Sequence, residues 1–144
     1  MKFLFKKVFI SSDHAGFDLK QKIKKKLEKK IEVIDLGPNT DKSVDYPDFA
    51  KKVAKRVSSK KANIGIIVCG SGTGMAMSAN KFKKIRAAVC YNRASTSLSR
   101  KHNDANILAL GSRLTKNSTA LKLVNIFLST KFEGGRHLRR VKKV

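Results

Sequence analysis

The sequence predicts an α/β fold, a single domain built on a five-stranded parallel sheet with helices on both faces and a basic tail at its C-terminal end. Three observations lead there. Short apolar runs of β-branched residues alternate with amphipathic stretches along all 144 residues, and strands alternating with helices imply βαβ units wound on both sides of one sheet. The runs are continuously apolar, as strands covered on both faces are, where a half-exposed strand would alternate. The most apolar of them, from Ile64 to Val68, runs through Cys69 directly into a glycine-rich turn and a helix.

Val8 to Ser11 is the first strand, and it ends in Ser12, Asp13, His14, Ala15 and Gly16. A helix is predicted from about Phe17 to Lys29, with Leu19, Ile23 and Leu27 on one face and lysines on the other. Ile31 to Leu36 is the second strand, stopped by Gly37 and Pro38. Tyr46-Pro47-Asp48 then opens a helix, because proline suits a first turn, and Phe49, Val53 and Val57 mark its apolar face. The strand from Ile64 comes third, with a helix beginning near Thr73. Ala87 to Cys90 is the fourth, followed by a helix from about Arg93 to Lys101. Ile107 to Leu110 is the fifth, ending in Gly111-Ser112-Arg113, and Leu121, Val124 and Leu128 mark a closing helix. No repeat, linker or low-complexity segment intervenes, so residues 1–144 read as one domain.

Composition bounds the function. Lys and Arg number 33 against 10 Asp and Glu, a formal charge of +23, and phosphate neutralisation makes nucleic acid the first partner to weigh. The lysines are spread along helix faces and termini, in KQKIKKKLEKK, KKVAKRVSSKK and RRVKKV, without the aromatic residues that stack bases. That pattern predicts no specific nucleic-acid partner, only adhesion at low salt. The run FLFKKVFI is interrupted by Lys6 and Lys7, too short and too charged for a membrane span or secretory core, so a cytoplasmic protein with no membrane partner is expected. Cys69 and Cys90 lie in apolar strand-like runs and offer neither a disulfide framework nor metal-ligand spacing, so no metal site is expected.

Chemistry concentrates at CGSGTG. Gly70, Gly72 and Gly74 alternate with Ser71 and Thr73, so the backbone can turn tightly and aim successive N–H groups at an oxyanion. The positive end of the following helix adds to this. A nucleotide-hydrolase phosphate loop needs Lys-Ser or Lys-Thr after the last glycine, where Met75 and Ala76 stand. A dinucleotide fingerprint needs its third glycine one residue later and an acidic residue after a second strand. What remains is a cysteine at the carboxyl end of a strand beside an anion-ready turn, a setting that lowers a thiol pKa; the alternative is a small buried hydrophobe. Ligands of open α/β sheets bind outside the carboxyl ends of the strands, which gathers Asp13, His14, Cys69, the glycine turn and Arg113 onto one rim. His102 and Asn103 instead follow a helix and precede the strand at Ile107, which puts them near the opposite rim, about 15 Å away along a ten-residue helix.

The set SSDHAG, DYPD, CGSGTG, SANK, IRAA, RKHNDAN, LGSR and FEGGRH, in this order over almost the whole chain, resembles the ribose-5-phosphate isomerase B family, which also contains galactose-6-phosphate and allose-6-phosphate isomerases. The resemblance implies a Rossmann-like three-layer domain, a homodimer or dimer of dimers with active sites shared between subunits, and no cofactor. It implies aldose–ketose interconversion through an enediolate, with D-ribose 5-phosphate and D-ribulose 5-phosphate of the pentose phosphate pathway as the pair. Cys69 matches the base that moves a proton between C1 and C2. The backbone of Gly70, Ser71, Gly72, Thr73 and Gly74, with the Ser71 hydroxyl, matches the donors to the enediolate oxygens. Many members carry threonine in place of Ser71, and those lacking the cysteine use a glutamate at the position of Met75, which cannot act as a base. His102 matches the group that opens the furanose ring, work suited to an imidazole. Asp13 and Asn103 match positions that hold sugar hydroxyls, Tyr46 one that lines the pocket, and His14, Arg113, Arg136 and Arg140 the phosphate set.

Without the resemblance, Asp13, Asn103 and Tyr46 read as a helix cap, a turn residue and a partly buried aromatic. His102 reads as one more residue on a helix face with Ala94 and Leu98, and Arg136 and Arg140 as a solvated tail whose spacing would share a helical face. If His102 does open the ring, its place on the opposite rim requires a second subunit to supply it.

Overall fold

Five apolar runs form the strands β1 (Lys7–Ser12), β2 (Glu32–Asp35), β3 (Gly65–Cys69), β4 (Ala87–Val89) and β5 (Ile107–Gly111) of a computed structural model that describes residues 2–144. The sheet order is β2-β1-β3-β5-β4 and every pairing is parallel. Each chain crossover is a helix, as parallel pairing demands: α1 (Phe17–Leu27), α2 (Tyr46–Ser59), α3 (Thr73–Ala79) and α4 (Arg93–Lys101). After β5 come α5 (Asn117–Ser129) and a short tail helix, α6 (Arg136–Val141).

Strand alternation decides which layer each side chain joins. Val8, Ile10, Ile66, Val68, Leu108 and Leu110 pack under α1 and α5, while Phe9, Ile67, Cys69, Ile107 and Ala109 pack under α2 and α3. The predicted three layers are therefore present, and each fully buried aliphatic side chain contributes about 1.5–3 kcal/mol toward holding them. Register then builds the rim. Ser12 pairs with Val68 and Cys69 with Gly111, so β1, β3 and β5 end level and their following loops lie side by side. No helix of the described residues is long and apolar enough to cross a membrane.

Some boundaries differ from the sequence reading. α1 stops at Leu27 instead of Lys29, where the N–H groups of Lys30 and Ile31 turn back onto the Leu27 carbonyl. β2 covers Glu32–Asp35 instead of Ile31 to Leu36, and Cys90 lies just past β4, its N–H still donating to Ala109 O at 3.2 Å. A larger correction concerns α1, whose lysines do not all face solvent. Lys20 is fully buried, and its Nζ donates to Asp35 Oδ1 at 2.9 Å, Asp35 Oδ2 at 3.1 Å and Pro38 O at 2.7 Å. Burial pushes the Asp35 carboxyl up, but the Lys20 hydrogen bond, the Gly37 amide and the charges of Lys20 and Lys24 outweigh it and hold the group below its ordinary range.

Candidate active site

At the end of β3, Cys69 is 5% exposed and its Sγ receives the Gly72 N–H at 3.1 Å. That approach depends on Gly72, which has φ +82, a left-handed conformation, and whose missing Cβ would lie 3.1 Å from the Leu110 carbonyl carbon. The Thr73 N–H donates to Ser71 Oγ at 3.2 Å, leaving the Ser71 O–H free to donate elsewhere. The turn thus commits two of its own five amides, so among the described residues those of Gly70, Ser71 and Gly74 are left for a ligand.

The neighbouring loops are tied to this turn. Ser112 N–H donates to Cys69 O at 2.8 Å and Arg113 N–H to Gly70 O at 3.0 Å, while Ser112 Oγ donates to Ala15 O at 2.8 Å. Asp13 N–H donates to Val68 O at 3.1 Å, and its Oδ1 accepts the Gly16 N–H at 2.9 Å just before α1, close to the capping role that its residue type suggests. The Tyr46 ring, at the first residue of α2, lies against Gly74 so closely that a Cβ there would sit 2.6 Å from it. Asp13, Tyr46, Cys69, Gly70, Ser71, Gly74 and Arg113, with Leu114, line one cavity of about 440 Å³. It opens where β1 and β3 part, at the carboxyl ends of the strands, where open α/β sheets hold ligands. His14 stands beside it with Nδ1 accepting the Val44 N–H at 3.2 Å. With Nδ1 as acceptor, Nε2 is the ring nitrogen left to donate to a ligand.

The other predicted residues are elsewhere. His102, the C-cap of α4, and Asn103 line a separate cavity of about 650 Å³ together with Arg136, Arg140, Arg86 and His137, and it shares no residue with the first. Its loop is fixed by polar side chains, of which Arg100 is buried. Arg100 donates to Asp104 Oδ1 at 3.1 Å, Ala105 O at 2.6 Å and Thr130 O at 3.1 Å, and Arg86 Nε to Asp104 O at 2.8 Å. Asn106 accepts Arg86 N–H at 2.8 Å and donates to Lys84 O at 2.7 Å. Within a single chain, then, Cys69 and His102 do not meet.

Sequence reasoning missed several groups. The Tyr91 hydroxyl donates to Ser71 O at 3.2 Å; its place just after β4, on the carboxyl rim, was a topological signal. His137 stacks on His102 with ring centroids 4.2 Å apart and planes 13° apart, and Glu133 Oε1 lies 3.5 Å from His102 Nε2 and 3.9 Å from His137 Nε2. Desolvation, then the charges of His102 and Arg136, hold His137 below the ordinary imidazole range. Chain spacing gave no sign of this His and carboxylate cluster: the tail folds back onto α4, with the Glu133 N–H donating to Lys101 O at 3.1 Å, and brings Glu133 and His137 to His102.

Known proteins match this chain over almost its whole length. The ribose/galactose isomerase family model matches residues 8–144. Ribose-5-phosphate isomerase B of Escherichia coli is 44% identical over 140 residues, covering 96% of this chain and 94% of that protein. The structure of the Clostridium thermocellum ribose-5-phosphate isomerase B superposes with a TM-score of 0.93 at 50% identity, over 95% of this chain and 93% of that one. That of the Mycoplasma genitalium enzyme with bound ribulose-5-phosphate superposes with a TM-score of 0.92 at 44% identity, over 99% and 95%. A match that runs from β1 through the tail helix leaves neither cavity outside it, and the chain belongs to the ribose/galactose isomerase family.

Proposed function

We propose that this protein is a ribose-5-phosphate isomerase that interconverts D-ribose 5-phosphate and D-ribulose 5-phosphate. The observation that carries the reading is the rim cavity in a chain of this family, where the Cys69 sulfur, held by the Gly72 amide at 3.1 Å, faces a space lined by Asp13, Ser71 and Arg113. His102 moves a proton from the C1 hydroxyl to the ring oxygen, which breaks the C1–O bond and opens the furanose. Cys69, as thiolate, then takes the C2 proton and returns it at C1, while the hydroxyl protons redistribute between O1 and O2. The negative charge on O1 and O2 in between is met by the Gly70, Ser71 and Gly74 amides and the Ser71 hydroxyl. Asp13 and Asn103 hold sugar hydroxyls and Tyr46 walls the pocket. His14, Arg113, Arg136 and Arg140 grip the phosphate, a task suited to guanidinium forks.

The two separate cavities support a homodimer, alone or paired into a dimer of dimers, in which the His102 cavity of one subunit completes the Cys69 cavity of the other. The free thiols of Cys69 and Cys90 suit a cytoplasmic setting. A coupled assay offering ribose 5-phosphate, allose 6-phosphate and galactose 6-phosphate, with EDTA present, tests the reading. Turnover is expected to favour the five-carbon substrate and to survive chelation. Preference for a six-carbon phosphate, or loss of activity in EDTA, counts against it.

A further inference from the structure

His102, Glu133 and His137 present one ligand-type atom each, all within 4.8 Å of one another, at the edge of the tail cavity. The His102 and His137 approaches to Glu133 Oε1, 3.5 and 3.9 Å, are too long for hydrogen bonds. The first matches the separation, roughly 3.3–3.5 Å, of two ligands on a tetrahedral ion bonded at about 2.0–2.1 Å, and the second is a few tenths of an ångström longer. The backbone that carries the three is already fixed. Glu133 N–H is bonded to Lys101 O at 3.1 Å and His137 N–H to Gly134 O at 3.0 Å, and Glu133 and His137 are an i,i+4 pair. His102 and His137 are stacked in the empty site, and an ion lies in the plane of each imidazole that binds it, so closing the set requires their side chains to rotate out of the stack. In the single chain His102 and Glu133 are 39% and 50% exposed, and in the proposed dimer an ion can reach them by the opening that admits the substrate.

The donor set selects the ion. Lys101 adjoins His102 in the chain, and Arg136 and Arg140 line the same cavity. That positive field opposes every divalent cation, so the donor set decides which one can bind against it: two imidazoles and one carboxylate suit zinc, whereas magnesium and calcium need several oxygen ligands that the cluster lacks. We propose that His102, Glu133 and His137 form a Zn²⁺ site, with water in the remaining position, and that filling it inhibits the enzyme by occupying the Nε2 lone pair of His102. The inhibition rests on His102 acting in ring opening; the binding does not.

Binding is read by calorimetric titration of ZnCl₂ into Cys69→Ala protein, which removes the rim thiol as a competing ligand. One saturable site per chain is expected, lost on adding His137→Ala and weakened on adding Glu133→Gln, with the thermal midpoint unchanged; His137→Gln replaces His137→Ala if the latter fails to fold. Co²⁺ in the same protein should give tetrahedral ligand-field bands. Zn²⁺ should also lower wild-type turnover reversibly, with recovery in EDTA, while the residual turnover of His137→Ala is insensitive to it. No saturable binding, or binding that survives both substitutions, overturns the site. Zn²⁺ bound there with wild-type turnover unaffected overturns the inhibition, and turnover of His102→Ala without Zn²⁺ separately reports whether His102 acts in the reaction.

Discussion

Cys69 and Cys90 are the same side chain in two settings, and the contrast isolates what the site needs. Cys69 lines an open cavity with an amide aimed at its sulfur. Cys90 is 1% exposed in the layer beneath α1 and α5, where burial pushes its thiol up against the opposing hydrogen bonds of Ser99, Thr96 and Ser95. A thiol kept neutral is no base. Cys69→Ala is therefore expected to lower kcat by about 10²–10⁴-fold, the usual worth of a positioned base, with the fold and phosphate binding retained. Cys90→Ala should leave kcat nearly unchanged. Steady-state kinetics with phosphate binding by calorimetry check both, and equal activity of the two variants would remove thiolate chemistry from the mechanism.

Among the elements, α1 is joined to β2 by the pair of buried Lys20 with partly buried Asp35 as well as by its apolar face. Lys20→Met leaves the Asp35 carboxylate with Lys24 at 3.5 Å and the Gly37 amide, so a loss of about 3 kcal/mol in denaturant unfolding is expected, the lower end for breaking a buried pair. Because the folded pKa of Asp35 lies below its unfolded value, the pair's contribution is present at neutral pH and declines as pH falls through the folded pKa. Thermal midpoints of wild type and Asp35→Asn should accordingly converge in acid; a constant gap between them would rule the linkage out. The pair also shows where sequence reading fails. Strands covered on both faces left continuous apolar runs such as IGIIVC, and Leu19, Ile23 and Leu27 gave α1 its period, so these elements were legible. Lys20 read as one lysine of a solvated face because its partner arrives from another strand. The inward face of α4 was equally silent, since Thr96, Ser99 and Arg100 are buried by polar contacts that no hydrophobic pattern records. At the site, the rim residues were legible from topology, whereas the His102–His137 stack depends on a tail that returns from far along the chain.

For the molecule as a whole, the charge of +23 should make any DNA or RNA adhesion indifferent to sequence and steeply weakened by salt; a sequence-specific complex at physiological salt would call for a different function. The division of the candidate site leads to a sharper test. Cys69 ends β3 at the carboxyl rim, whereas His102 caps α4 on the way to the start of β5, and the two line cavities with no residue in common. If Cys69 and His102 act in one reaction, as proposed, one chain holds two half-sites, and a two-fold axis bringing the tail cavity of one subunit to the rim cavity of its partner would make two whole ones. Cys69→Ala and His102→Ala homodimers should each be inactive or nearly so, because every site in them lacks one group. When the two variants are dissociated, mixed and reassociated, each heterodimer has one site carrying both lesions and one carrying neither. Turnover should return to about half of wild type per heterodimer, by this count of reciprocal sites. The mixture must be shown to contain heterodimers, for example by differential tagging and tandem purification. Heterodimers that stay inactive would mean that His102 serves the site of its own chain or has no part in the reaction.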